Sequence, residues 1–285
     1  MSYSQFNKVL VITFVLSVMN NLDKVGAKVG FNRNYMVSYG YDHVTLFDNG
    51  RRVQLSMDEA SGSGFRSKKG YCSGLFEMKI KLPEQQSPGL VSTFYLTSNG
   101  LEGQDSENHD EIDFEFLGTD GPPFILQTNI FANDNGGREQ RLKLWFDPTK
   151  DFHNYAILWN QNQIVLFVDN MPIRVYKNNN NFGVRYPSMP MLLEGSIWNG
   201  ETWASNGRKI DWSKAPFQLQ YEGFQINGCE YGNNECYSST FWWNTGEYWD
   251  LTPHEKRVYK YVRKNYMYYD YCSDRGNYFN ECHLK

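Results

Sequence analysis

The sequence holds no apolar run long enough to cross a bilayer: the longest, Val9–Val18, has ten residues where a spanning helix needs about 20. It has no block of basic residues either. Its 28 Lys and Arg against 32 Asp and Glu give a formal charge of −4, which argues against a nucleic-acid partner. Cysteine is sparse and unevenly placed, with Cys72 alone and Cys229, Cys236, Cys272 and Cys282 all beyond residue 228. No C-x-x-C or H-x-x-x-H spacing accompanies them, so no metal site and no cofactor is expected. The G-x-S-x-G and H-E-x-x-H patterns of serine and zinc hydrolases are missing as well.

What the chain has in quantity is aromatic side chains, 16% of its 285 residues, which a disordered protein would lack. One large domain with an appendage fits that length. Val9–Val18 follows Lys8 and precedes the small residues Val25-Gly26-Ala27, the pattern of a secretory signal, so 1–27 is expected to be a removed leader; a buried N-terminal strand is the alternative. A secreted chain can carry disulfides. Four clustered cysteines allow three pairings, of which short loops favour Cys229–Cys236 with Cys272–Cys282, leaving one odd thiol.

From about 30 to 220 the chain alternates in short segments broken by turn residues. Examples are Val44–Phe47, Leu75–Leu82, Val91–Thr97, Phe124–Phe131 and Gln163–Asp169. Such strands indicate an all-β antiparallel sandwich or barrel. In 76–82 the alternation is clean, as for a sheet with one buried and one polar face. A capping-box pair, Thr252 and Glu255, opens an expected helix over 252–268.

The densest chemistry is in His109-Asp110-Glu111-Ile112-Asp113-Phe114-Glu115-Phe116. In a strand, His109, Glu111, Asp113 and Glu115 share one face, and Ile112, Phe114 and Phe116 share the other. The apolar face fixes the register and forces three carboxylates together, which is unfavourable unless some are protonated or hydrogen-bonded. A solvated acidic face does not need that crowding, and the spacing lacks the pattern of a calcium loop. Carboxylates with separated pKa values are what glycosidic cleavage requires. Glu111 and Glu115 lie about 13 Å apart along an extended backbone. Retaining enzymes need their carboxyl groups about 5–5.5 Å apart, so both side chains would lean inward, with Asp113 between them. Sugars offer hydroxyl edges and C–H faces, which suits Gln127, Asn129, Arg138, Tyr95, Trp198 and Trp203 as partners.

The run HDEIDFEFLG, with ILQTNIF at 125–131, GREQRLKLWFDPTKDFHNYAILWN at 137–160 and FVDNMPIRVYKN at 167–178, resembles the plant xyloglucan endotransglucosylase/hydrolases of glycoside hydrolase family 16. The resemblance implies a curved β-jelly-roll domain over 28–222 and an extension over 223–285 fixed by two disulfides. It implies Glu111 as nucleophile, Glu115 as acid/base and Asp113 as the assisting carboxylate. Substrate contacts are implied at Glu115, Gln127, Thr128, Asn129, Gly137, Arg138, Glu139, Thr202, Trp203 and Gly207. The implied partners are xyloglucan donor and acceptor chains, acted on by a monomer in the plant cell wall and apoplast. A predominantly hydrolytic endoglucanase and a non-catalytic wall-polysaccharide binder are the alternatives. The family's usual glycosylation sequon after the catalytic motif is absent, as is any N-x-S/T; Gly118→Asn with Asp120→Thr would create one. Cys72 has no partner in the resemblance and is expected to be the odd thiol, buried as a small apolar residue.

Overall fold

The computed structural model describes residues 29–101, 108–134, 136–274 and 279–284; the expected leader over 1–27 lies outside them. Among the described residues the chain forms β1 (Tyr35–Tyr39), β2 (Val44–Phe47), β3 (Arg52–Met57), β4 (Ser63–Ser67), β5 (Tyr71–Lys81), β6 (Leu90–Thr97), β7 (His109–Leu117) and β8 (Ile125–Asp134). There follow β9 (Gln140–Lys143), β10 (His153–Trp159), β11 (Gln163–Val168), β12 (Met171–Lys177), β13 (Leu192–Asn199), β14 (Phe217–Glu222), β15 (Asn227–Glu230) and β16 (Met267–Asp270). They build two antiparallel sheets, one in the order β1-β4-β13-β6-β7-β8-β9-β16, the other β12-β11-β10-β5-β14-β3-β2 with β15 beside β5. This is the jelly-roll sandwich implied by the resemblance.

Alternation sets the layers. On β5, Phe76, Met78 and Ile80 are buried while Glu77, Lys79 and Lys81 face outward. On β7, Ile112, Phe114 and Phe116 lie between the sheets, and the rings of Phe114 and Phe116 meet Tyr155 of β10 edge-on at 5.7 and 4.8 Å. Burying a Phe side chain stabilises by about 1.5–3 kcal/mol, so this inner face holds β7 in register. Asp169 and Asn170, both at positive φ, make the two-residue turn between β11 and β12. The strand read over 163–169 therefore stops at Val168.

The late helix runs Pro253–Tyr266 with Thr252 as N-cap: the Thr252 hydroxyl accepts from Glu255 N, and the Glu255 carboxylate accepts from Thr252 N. It ends two residues before the expected 268, because Met267–Asp270 turns extended and pairs with β9. That strand covers an edge the sandwich would otherwise expose. Cys229 is bonded to Cys236, and Cys272 to Cys282. Cys72 is free and half-buried against the apolar cluster that contains Cys229, Cys236 and Trp243; burial pushes its thiol up. The 272–282 bridge closes a loop of 10 residues. Replacing both cysteines by serine should cost about 3 kcal/mol by loop-closure entropy, read as a lower denaturant midpoint; an unchanged midpoint would contradict this.

Gly118 follows β7 and corrects the sequon design. Its N–H donates to Leu90 O at 2.7 Å, and a Cβ there would stand 2.1 Å from Ser87 O. Backbone oxygen cannot yield as a flexible side chain would, so Asn at 118 does not fit. Gly118→Ala alone should destabilise by about 3 kcal/mol in chemical unfolding, and a neutral result would refute the close approach.

Candidate active site

The pairing of β7 with its neighbours converts sequence spacing into rows across the sheet. Glu111 stands opposite Thr97 of β6 and Phe131 of β8; Asp113 opposite Tyr95 and Asn129; Glu115 opposite Thr93 and Gln127, with Arg141 of β9 next along. Side chains directly opposite on one face interact, so each carboxylate acquires polar or aromatic neighbours from both sides. All of these outward residues but Thr97 line a groove of about 370 Å³, which continues over Ser196 and Trp198 of β13 to Trp203.

Asp113 is buried, and its carboxyl is pushed well above the usual range, first by burial and then by Glu111 and Glu115; Arg174 opposes the shift. Burial and the two neighbouring carboxylates favour the protonated form of Asp113, which can donate to Glu111 beside it. Glu115 is pushed up to about 7, first by burial, with Glu111 and Glu139 adding to the rise. Gln127 and Arg141 hold it down. Gln127 Nε2 donates to Glu115 Oε2 at 2.7 Å, and Arg141 Nε donates to Gln127 Oε1 at 2.6 Å, which fixes which end of the amide faces the carboxyl. One strand face thus presents a group that can give or take a proton near pH 7 beside a second, hydrogen-bonded carboxyl.

The groove brings together Glu111, Asp113, Glu115, Gln127, Asn129, Glu139 and Trp203 from the sequence reading, with Tyr95 and Trp198. The rings of Trp198 and Trp203 are 6.0 Å apart. Tyr95 OH donates to Glu194 Oε2 at 2.8 Å, tying β6 to β13.

Two expected contacts face elsewhere. Thr128 alternates to the interior face of β8, where its hydroxyl and carbonyl accept from Arg174 Nη1 at 2.9 and 2.8 Å. Arg138 is buried: its Nε donates to Glu281 Oε1 at 2.6 Å, its Nη1 to Asp134 Oδ2 at 2.9 Å, and its guanidinium covers the Phe279 ring at 4.6 Å. The Arg138 side chain is a clamp on the C-terminal extension and does not line the groove. Gly137, at φ +80°, lies beside Phe279, while Thr202 and Gly207 sit on the exposed turn around Trp203 and are not among the lining residues. Thr93, Phe131, Arg141 and Ser196 line the groove although no motif marks them; only the strand pairing could have found them.

Residues 31–214 match the model of the glycosyl hydrolases family 16, and residues 237–282 that of the xyloglucan endo-transglycosylase C-terminus. Xyloglucan endotransglucosylase/hydrolase protein 2 of Arabidopsis thaliana is 50% identical over 275 residues, covering 94% of this chain and 92% of the relative. Xyloglucan endotransglucosylase protein 2 of Diospyros kaki is 45% identical over 275 residues, covering 94% and 91%. Among solved structures, a Bacillus licheniformis beta-glucanase superposes with a TM-score of 0.56 at 25% identity, over 70% of this chain and 97% of that one. The first model covers most of the sandwich and the second most of its extension, and the chain belongs to glycosyl hydrolase family 16, among the xyloglucan endotransglucosylase/hydrolases.

Proposed function

We propose that this protein cleaves the β-1,4-glucan backbone of xyloglucan by a retaining two-step reaction and rejoins the cut chain to another xyloglucan chain. The observation that carries the reading is the Glu115 carboxyl, raised to about 7 and half-buried on the same strand face as Glu111 and Asp113, whose carboxyl is also pushed up. In the first step Glu115 donates its proton to the glycosidic oxygen while Glu111 attacks the anomeric carbon, giving a covalent glycosyl-enzyme and a free chain end. In the second, Glu115 takes the proton of an incoming 4-hydroxyl, which displaces Glu111 and forms the new bond. Water in place of that hydroxyl gives hydrolysis. Asp113 orients Glu111 by its hydrogen bond. Gln127, Asn129, Glu139 and Trp203 supply amide, carboxylate and stacking contacts to the sugars, and a bound acceptor gains effective molarity over water.

The chain reads further as a monomer secreted to the plant cell wall and apoplast, with a leader over 1–27, a catalytic sandwich over 28–222 and an extension over 223–285. Two disulfides support an oxidising compartment. No helix among the described residues is long and apolar enough to cross a membrane. Glu111→Ala, assayed on xyloglucan with and without a labelled acceptor oligosaccharide, tests the proposal. Chain cleavage and label incorporation should both vanish. Retained turnover in the variant would sink the nucleophile assignment, and parent activity indifferent to acceptor would make the enzyme a hydrolase.

A further inference from the structure

Beside the groove, in contact with its lining residues Glu111 and Phe131, is a titratable side chain that the mechanism above leaves without a task. His109 lies two residues before Glu111 on the same face of β7, with its Nε2 3.7 Å from Glu111 Oε2. Its ring stacks on Phe131 at 4.8 Å between centroids and 26° between planes. Phe131 is the β8 residue directly opposite Glu111, so the platform that orients the imidazole is set by the same strand pairing that positions the carboxylate. Behind that platform is Gly136, at φ +72°, where a Cβ would stand 2.7 Å from the Phe131 ring. The order Gly136, Phe131, His109, Glu111 is a packed series with little room for the imidazole to turn.

The ring has one polar direction. His109 Nδ1 is buried and meets no hydrogen-bond partner among the described residues, while Nε2 points toward Glu111. A proton on Nε2 is therefore directed at the carboxylate, and the Glu111 carboxylate beside it raises the imidazole above its ordinary range against the opposing effect of burial. At 3.7 Å the contact is an ion-pair distance, longer than a hydrogen bond. Such contacts in an empty site commonly tighten once substrate is bound. Asp113 engages Glu111 from the other side along the strand.

We propose that His109 is a positioning residue, held by Phe131 and Gly136, that fixes one oxygen of the Glu111 carboxylate while Asp113 holds the group from its opposite flank. This rests on Glu111 being the nucleophile. With both flanks held, the attacking oxygen keeps its aim through the approach to the anomeric carbon; with one free, the carboxylate rotates out of line.

Three proteins test this: the parent, His109→Phe, which retains a ring to stack on Phe131 but has no donor, and His109→Gln, which retains a donor without the ring. His109→Phe should lose on the order of 10²-fold in kcat, the effect of a misplacement of about 1 Å, with KM little changed. His109→Gln should regain most of that loss. The rate at which a 2-deoxy-2-fluoro glycoside labels Glu111, followed by mass spectrometry, should fall and recover in the same order. Parent-like kcat and labelling in His109→Phe would overturn the proposal, as would equal impairment of the two variants, since stacking or folding would then explain the loss. Labelling of the parent at a residue other than Glu111 would instead overturn the nucleophile assignment on which the proposal rests.

Discussion

Glu115→Gln is expected to lower kcat by about 10²–10⁴-fold, the usual contribution of a general acid, while the sandwich still folds. The amide is nearly isosteric but has no proton to give and cannot take one from an acceptor hydroxyl. The parent's pH profile should carry the same signature. With Glu115 raised to about 7, the protonated form that the first step needs is present below that pH and falls tenfold per unit above it. Gln127→Leu sharpens the test. Its amide donates to the Glu115 carboxylate and so stabilises the charged form; without it the carboxyl holds its proton longer, and the alkaline limb should move to higher pH. A parent rate that stays flat well above neutral pH, or a limb that moves down in Gln127→Leu, would remove Glu115 from the acid role.

Arg138→Met should destabilise the protein by about 3–5 kcal/mol, because it leaves two largely buried carboxylates, Asp134 and Glu281, without their cation. The effect separates two readings of one residue. As a clamp, Arg138 ties the end of the extension to β8, so its loss should lower the unfolding midpoint and loosen residues 279–284 while KM for xyloglucan stays near the parent's. As a substrate contact, it would do the reverse. Denaturant unfolding and KM measured on one preparation decide between them: a raised KM with normal stability would restore the contact.

The strand that carries the chemistry is legible in the sequence because its two faces differ so sharply. Ile112, Phe114 and Phe116 have to be covered, which leaves Glu111, Asp113 and Glu115 outward with no freedom of register. The start of the late helix is legible for a local reason too, since Thr252 and Glu255 satisfy its first N–H groups within four residues. What escapes is long-range. Arg141 reaches Glu115 only through Gln127, across two strand pairings that no local pattern specifies. Thr128 and Arg138 stand beside true lining residues in the sequence, yet alternation and a salt bridge 143 residues away turn their side chains from the groove. Gly118 enters the sequence reading only as a place for a sequon, and its contact with Ser87 O appears only once β6 and β7 are paired. The expected helix runs on to 268, but the open edge of β9 draws Met267–Asp270 into the sheet.

The central claim is that two carboxyl groups on one strand face carry a double displacement, and the anomeric configuration of the first product tests it most directly. For the turnovers in which water takes the acceptor's place, proton NMR of xyloglucan cleavage by a large amount of enzyme, recorded before mutarotation, should show the β-anomer at the new reducing end, since two inversions restore the starting configuration. An α-anomer appearing first would mean a single displacement by water, and would contradict both the nucleophilic role of Glu111 and the transfer step built on it.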